Sequence, residues 1–208
     1  MTCRKSRNCT PPVGKPHIAK ALANGVANTI STGQTRGDPF DKMHEQEPME
    51  QDKTLPVLDY LIKQINGTLG EDEKTYLQYP TPISQTLGMR IVEIGLGTAT
   101  VEMDANSNIH GNQQGTVHGG LLCELADAAI GTAHSTTLAE GESFTSIDLK
   151  INFFRPVWKS TLRAVAKPIQ SGRTISHYLC EVQREDEKVA ATVISTVMTL
   201  RGTQAVGR

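Results

Sequence analysis

The stretch Asn112-Gln-Gln-Gly115-Thr-Val-His118-Gly119-Gly120-Leu-Leu-Cys-Glu124-Leu-Ala-Asp127-Ala-Ala-Ile130 decides how this chain is read. It opens as a polar, glycine-containing loop and closes as an apolar helix, with His118-Gly119-Gly120 at the join. Without Cβ atoms, Gly119 and Gly120 let another group approach their backbone closely. The first N–H groups of a helix lack internal partners and lie at the positive end of its dipole, so the join suits a partly negative oxygen. Asp127 stands in a run of Leu, Ala and Ile. A carboxylate in such company is costly unless it is paired or used.

Outward from this stretch, the spacing predicts a helix over 117–138. At about 100° per residue, Leu121, Leu125, Ala128, Ala129 and Thr132 form a core stripe. Gly120, Asp127, Gly131 and His134 form a second face, small and polar, as expected where a ligand or another backbone comes close. A helix apolar nearly all round should be wrapped by a sheet. Before it, 89–93 and 98–103 alternate about a Gly95-Leu-Gly97 turn and read as paired strands. After it, Ile147, Leu149, Ile151 and Phe153 alternate with Ser146, Asp148, Lys150 and Asn152, which places Asp148 on the same side as Ser146. Further strands follow over 162–169, 174–182 and 189–200. Two strands, one long helix and four strands predict an α+β domain, an antiparallel sheet around one central helix. Upstream, 55–65 has helical spacing and Tyr79-Pro80-Thr-Pro82 reads as a loop.

The chain has 208 residues, a net charge of -1 and 4% aromatics, and a pI near 6.6. This balance gives no global pull toward nucleic acid or membrane, and few rings for stacking bases. No apolar run approaches the roughly 18 residues that span a bilayer. Cys3, Cys9, Cys123 and Cys180 show no metal-like spacing and read as reduced structural cysteines. The matches to glycosylation acceptors at Asn8 and Asn66 are discounted, because no apolar signal segment is present. Residues 1–52 differ from the rest. Basic residues alone precede Asp38, and six acids against Lys42 follow from Asp38 to Asp52. They read as a disordered extension, with an organelle transit peptide or an overcalled start before Met43 or Met49 as the rivals. The expected layout is 1–52 disordered, 53–81 a helical lead-in and linker, and 82–201 the folded domain.

With these residues in place, the chain resembles the hotdog-fold acyl-CoA thioesterases, in the PaaI-like (phenylacetate-degradation) branch of the 4-hydroxybenzoyl-CoA thioesterase superfamily. The resemblance covers about 82–200. It rests on Asn112-x2-Gly115-x2-His118-Gly119-Gly120, on Asp127 nine residues after His118, on Ser146-Ile-Asp148-Leu and on Phe153-Phe-Arg155-Pro156. It implies hydrolysis of an acyl-CoA without metal or cofactor. The backbone N–H of Gly119 would polarise the thioester carbonyl, and Asn112 would bind or orient the same end. Asp127 would act as general base or nucleophile, and Ser146 would position water. His118 and Gly120 fall beside the substrate, and Arg155, Lys159 and Arg173 are candidates for the coenzyme A phosphates or plain surface cations. Gly119 and Asp127 lie about 12 Å apart along one helix. That separation supports the family's homodimer, or a dimer of dimers, with each site built from two chains. The cytoplasm is the expected compartment, or an organelle matrix if residues 1–37 are a transit peptide.

Other readings stay open at this level. Asp127 can be a structural carboxylate, His118 a general base, and Glu124 a solvent or interface residue. Ser146 as nucleophile needs an adjacent His–acid pair, for which His134 and His177 are candidates by name only. Hotdog hydratases set Asp and His five residues apart, whereas Asp104 and His110 are six apart. A non-catalytic acyl-CoA-binding hotdog protein is the alternative from a different class.

Overall fold

A computed structural model describes residues 53–206. The expectations for residues 1–52 lie outside the described residues. The lead-in carries β1 (Lys53–Thr54), α1 (Val57–Ile65) and β2 (Glu73–Lys74), and the domain opens with α2 (Pro82–Leu87). The domain continues as β3 (Arg90–Gly95), β4 (Thr98–Asn106), α3 (Ser107–His110), α4 (Gly119–Ser135), β5 (Ser143–Phe153), β6 (Lys159–Ser171), β7 (Ile175–Gln183) and β8 (Val189–Leu200), with a 3-10 turn at Gly202–Gln204. The large sheet has the order β3-β4-β6-β7-β8-β5, every pair antiparallel. Helix α4 carries the chain across its inner face from β4 to the far edge at β5. This is the hotdog architecture, an α+β fold with the sheet curled around one central helix.

The core is the seam between α4 and the sheet. Leu122, Leu125, Ala126, Ala129, Ile130 and Ala133 of α4 pack against alternate residues such as Val101, Met103, Leu162, Ala164, Val182 and Val193. The buried stripe is rotated from the expected one: Leu122 and Ala126 enter it, whereas Leu121 and Ala128 sit at its margin. His134, expected on the open polar face, is buried.

Helix α4 is also shorter than its apolar pattern. Val117 donates to Val157 O and pairs with Gly111, so the chain is still strand-like there. At the other end, Ser135, Thr136 and Thr137 turn their hydroxyls back to the carbonyls of Thr132, Ala133 and His134, a local competition with the helix ladder. The β3–β4 turn docks on this end through Gly97 N–H donating to Thr136 Oγ1 at 2.7 Å. Gly97 holds φ 72° there, a conformation open to glycine at little cost.

The loop expected around Tyr79–Pro82 contains a cis Tyr79–Pro80 bond and leads straight into α2, which is capped by Thr81 and closed by Gly88 in the left-handed region. Val57 and Leu61 bury the inner face of α1, which packs on β3. Glu73 braces the lead-in: the Gly70 N–H and the Lys63 ammonium hold its carboxyl down to about 2.

Strand β5 contains a bulge between Ser146 and Asp148, where Ser146 pairs with Val197 and Asp148 with Thr196. Ile147 is the extra residue. The two polar side chains therefore point to opposite faces, contrary to simple alternation. Ser146 faces α4, and Asp148 faces outward, its carboxylate accepting from Thr196 N–H at 3.0 Å.

Candidate active site

Asp127 lies mid-helix on the side of α4 that faces β5. Ser146 Oγ donates to Asp127 Oδ1 at 3.1 Å. Both line a cavity of about 460 Å³. Residues of both sheet edges, β3 and β5, reach this cavity, because the sheet curls far enough around α4 to bring them to one opening. A carboxylate beside a hydroxyl that both donates and accepts is an arrangement that can hold and deprotonate a water.

Gly119 and Asn112 are elsewhere. They line a second cavity of about 430 Å³ with Phe153, Arg155 and Val157. Gly119 opens α4, and its N–H has no partner among the described residues. A Cβ on Gly119 would meet Phe153 Cζ at 2.7 Å, so the ring closes on the glycine. His118 is the cap of the helix: its Nδ1 accepts from Gly120 N–H at 2.9 Å. That bond commits the Gly120 donor and leaves His118 Nδ1 without a proton to give.

Asn112 organises its own loop. Its Oδ1 accepts from Gln114 N–H at 2.9 Å and Thr116 N–H at 3.2 Å, while Nδ2 donates to Thr116 Oγ1 at 3.0 Å. This turn sets up the approach to Gly119. Arg155 donates to Val189 O at 2.6 Å beside the second cavity. Arg173 is exposed in the β6–β7 turn and lines neither cavity. One chain thus brings Asp127 to Ser146 and Asn112 to Gly119, but not the two pairs together.

Two neighbours of Asp127 share its environment. Burial raises the Glu124 carboxyl, and the charge of Asp127 adds to it. Burial also raises the Cys123 thiol, with Asp127 and Glu124 in the same sense, which disfavours the thiolate. The histidines named for a serine-nucleophile arrangement are not beside Ser146: His134 Nδ1 and Nε2 contact Tyr178 and Thr199, and His177 Nδ1 contacts Thr196. The hydratase pair is also apart in role. Asp104 is taken by Arg90 and Thr161, and His110 Nδ1 accepts from Asn106 N–H. Among the described residues, no three His, Cys, Asp or Glu side chains group as metal ligands. No helix among them is long and apolar enough to cross a membrane.

The sequence reading missed the wall of the first cavity. Ile65 and Tyr79 of the lead-in, Ser84 of α2 and Phe144 of β5 line it. The helical spacing of 55–65 and the Thr81-Pro82…Gly88 capping pattern are the signs in the sequence that this wall is ordered.

The family model described as the thioesterase superfamily matches residues 114–191. A protein of Archaeoglobus fulgidus, named as a candidate esterase, is 30% identical over 128 residues, covering 61% of this chain and 80% of the relative. A crystal structure of a thioesterase from Haemophilus influenzae matches with TM-score 0.55 and 25% identity over 59% of this chain and 85% of its own. The PaaI protein of the E. coli phenylacetic acid degradation operon matches with TM-score 0.55 and 26% identity, over 60% and 88%. The matched region contains Gly119, Asp127 and Ser146, and the fold is shared beyond it: the chain belongs to the thioesterase superfamily, hydrolases built on the hotdog fold.

Proposed function

We propose that the chain hydrolyses an acyl-CoA thioester to the free acid and coenzyme A, at a site shared by two protomers of a homodimer. The observation that carries this reading is the Ser146–Asp127 pair facing one cavity while the unpartnered Gly119 N–H faces another. The rise of α4 keeps these two half-sites about 12 Å apart in one chain. Two antiparallel copies of α4 would set the Gly119 end of one against the Asp127 of the other. Strand β5 supports such an assembly. It is an outer edge of the sheet and leaves Ile147 and Phe153 more than half exposed, apolar surface that a second chain would cover. The cytoplasm is the compartment that fits, with Cys123 and Cys180 as free thiols.

In the reaction, Asp127 removes a proton from a water held against Ser146 Oγ. The water oxygen attacks the thioester carbon, and the carbonyl oxygen takes up negative charge beside the partner's α4 N-terminus. There Gly119 N–H and the helix dipole stabilise it. Collapse of that intermediate breaks the C–S bond, and the thiolate leaves with the proton that Asp127 took. Asn112 acts as a positioning residue, because its carboxamide braces the loop that delivers Gly119. Arg155, at the second cavity, is the better placed of the two candidate arginines for a coenzyme A phosphate.

The test is the order of variant effects on thiol release from acyl-CoA. Asp127→Asn keeps the shape and removes the basicity, so kcat should fall by about 10²–10⁴, with little change in substrate affinity. Ser146→Ala should cost less. The opposite order, with Ser146→Ala inactive and Asp127→Asn near the parent, would falsify the mechanism. A parent protein that binds acyl-CoA but releases no thiol from any thioester would favour the non-catalytic reading.

A further inference from the structure

The cavity that holds Asp127 and Ser146 is closed by the lead-in, a segment upstream of the region matched by the family model. Along α4, Asp127, Ala128, Gly131 and Thr132 line it in sequence. All three residues after Asp127 are small. From Asp127 to Thr132 the helix advances about 7.5 Å. Gly131 sits about 6 Å along this run, where an added Cβ would meet Phe144 at 3.4 Å. A methyl just fits there; a longer side chain would have to occupy the cavity.

Tyr79 stands at the far end. Its ring lines the cavity, and its hydroxyl bonds Ser135 Oγ at 2.6 Å. Tyr76 ties the same segment down by donating to Leu138 O at 2.7 Å. One anchor grips the last residue of α4 and the other the turn just after it, so the stop is fixed relative to the helix. The side wall is fixed as well. Phe144 packs against the edge of His134 at 5.4 Å, and His134 is held between Tyr178 and Thr199. Ile65, Met89, Ile91 and Val101 make most of the remaining wall apolar, and Gln64, Thr81, Ser84 and Arg90 add polar groups to it.

We infer that Gly131 and Tyr79 are specificity-determining residues, which select an apolar acyl group of medium length by leaving a channel along α4 that Tyr79 terminates. This rests on the thioester reading above, with the reacting carbonyl beside Asp127. An extended chain advances about 1.2 Å per bond, so about 7.5 Å takes six bonds and an acyl group of about six to eight carbons. A phenylacetyl group has similar reach and is the compact alternative within the same chemistry.

The experiment uses the full chain, as parent, Gly131→Leu, Tyr79→Ala and Tyr79→Phe. Turnover is measured on straight acyl-CoAs from two to sixteen carbons and on phenylacetyl-CoA. Binding of the matching S-alkyl-CoA thioethers, which cannot be hydrolysed, is measured by calorimetry. The parent should peak near six to eight carbons in both series. Gly131→Leu should lose at least about tenfold in kcat/KM on octanoyl-CoA while keeping acetyl- and butyryl-CoA within about threefold, the size expected for misfit methylenes. Tyr79→Ala should move the optimum to longer chains, and Tyr79→Phe, which keeps the ring, should leave it in place. A parent that is flat with length or best at sixteen carbons overturns the inference, as does either length variant if it scales every substrate by one factor. Should Gly131→Leu fail to fold by circular dichroism, the two Tyr79 variants decide alone. Thioether binding with the expected length order but no turnover means that the hydrolytic reading has failed and this one stands. Turnover with no length order means the reverse.

Discussion

His134 shows how far a side chain can be from the role its type suggests. It lies on the central helix α4, is fully buried, and spends both ring nitrogens on Tyr178 and Thr199. Burial is the main cause that drives its pKa from 6.5 down to about 4, with Arg201 adding to the fall and Glu142 opposing it. The folded ring is therefore neutral where an unfolded imidazole is already protonated, and unfolding takes up a proton between those two values. Its contribution to stability is complete above pH 6.5 and is lost as pH falls toward about 4. The loss should be roughly 1–3 kcal/mol in urea titrations. His134→Gln, which cannot titrate, should flatten that part of the curve; identical pH slopes in variant and parent would contradict this. At the same scale, the candidates Asp127, Gly119 and Ser146 could be named from the sequence because residue type and spacing survive in one dimension, and the structure sets Ser146 against Asp127 and Gly119 at the start of α4. The direction of Asp148 could not be read in this way. One extra residue at Ile147 inverts every side chain beyond it, and nothing in Ser-Ile-Asp-Leu marks a bulge.

Elements were legible where their period was strong and blurred where side chains compete with the backbone. Strands β4 to β8 and helices α1 and α4 follow their apolar patterns. The ends of α4 do not, since Val117 and Thr136–Leu138 are apolar or neutral enough to continue a helix and are claimed instead by β-type pairing and by hydroxyl back-bonds. Helix α2 was present in the sequence as Thr81-Pro82 and Gly88, but only six residues separate cap from cap, too few to show a period. The phase of α4 has a measurable consequence. Leu125 is fully buried at the centre of the seam, so Leu125→Ala should cost about 2–5 kcal/mol, lost transfer energy plus the cavity left behind. Chemical denaturation reads this directly; a loss below about 1 kcal/mol would mean that the seam is not the core.

For the whole molecule, what one protomer does alone can be measured at its N-terminal extension and at its site. The weak periodicity of residues 1–52 predicts that the extension is dispensable. A chain beginning at Gln51 should keep its melting temperature and turnover, and loss of either would show that the extension packs on the domain. The converse holds for the site. On the proposed reading a single protomer holds both half-sites without joining them, since the helix that carries Gly119 and Asp127 also separates them. Asn112→Ala removes the acceptor for Gln114 and Thr116 N–H and loosens the loop leading to Gly119, while Asp127→Asn disables the other half. Each homodimer should be close to inactive. In a mixed dimer one site has both lesions and the other has none. Random exchange makes about half of all dimers mixed, so about a quarter of the parental sites should return. Native mass spectrometry can confirm that subunits have exchanged. If they have, and thiol release is still no more than the sum of the two variants, each chain completes its own site and the shared geometry is wrong.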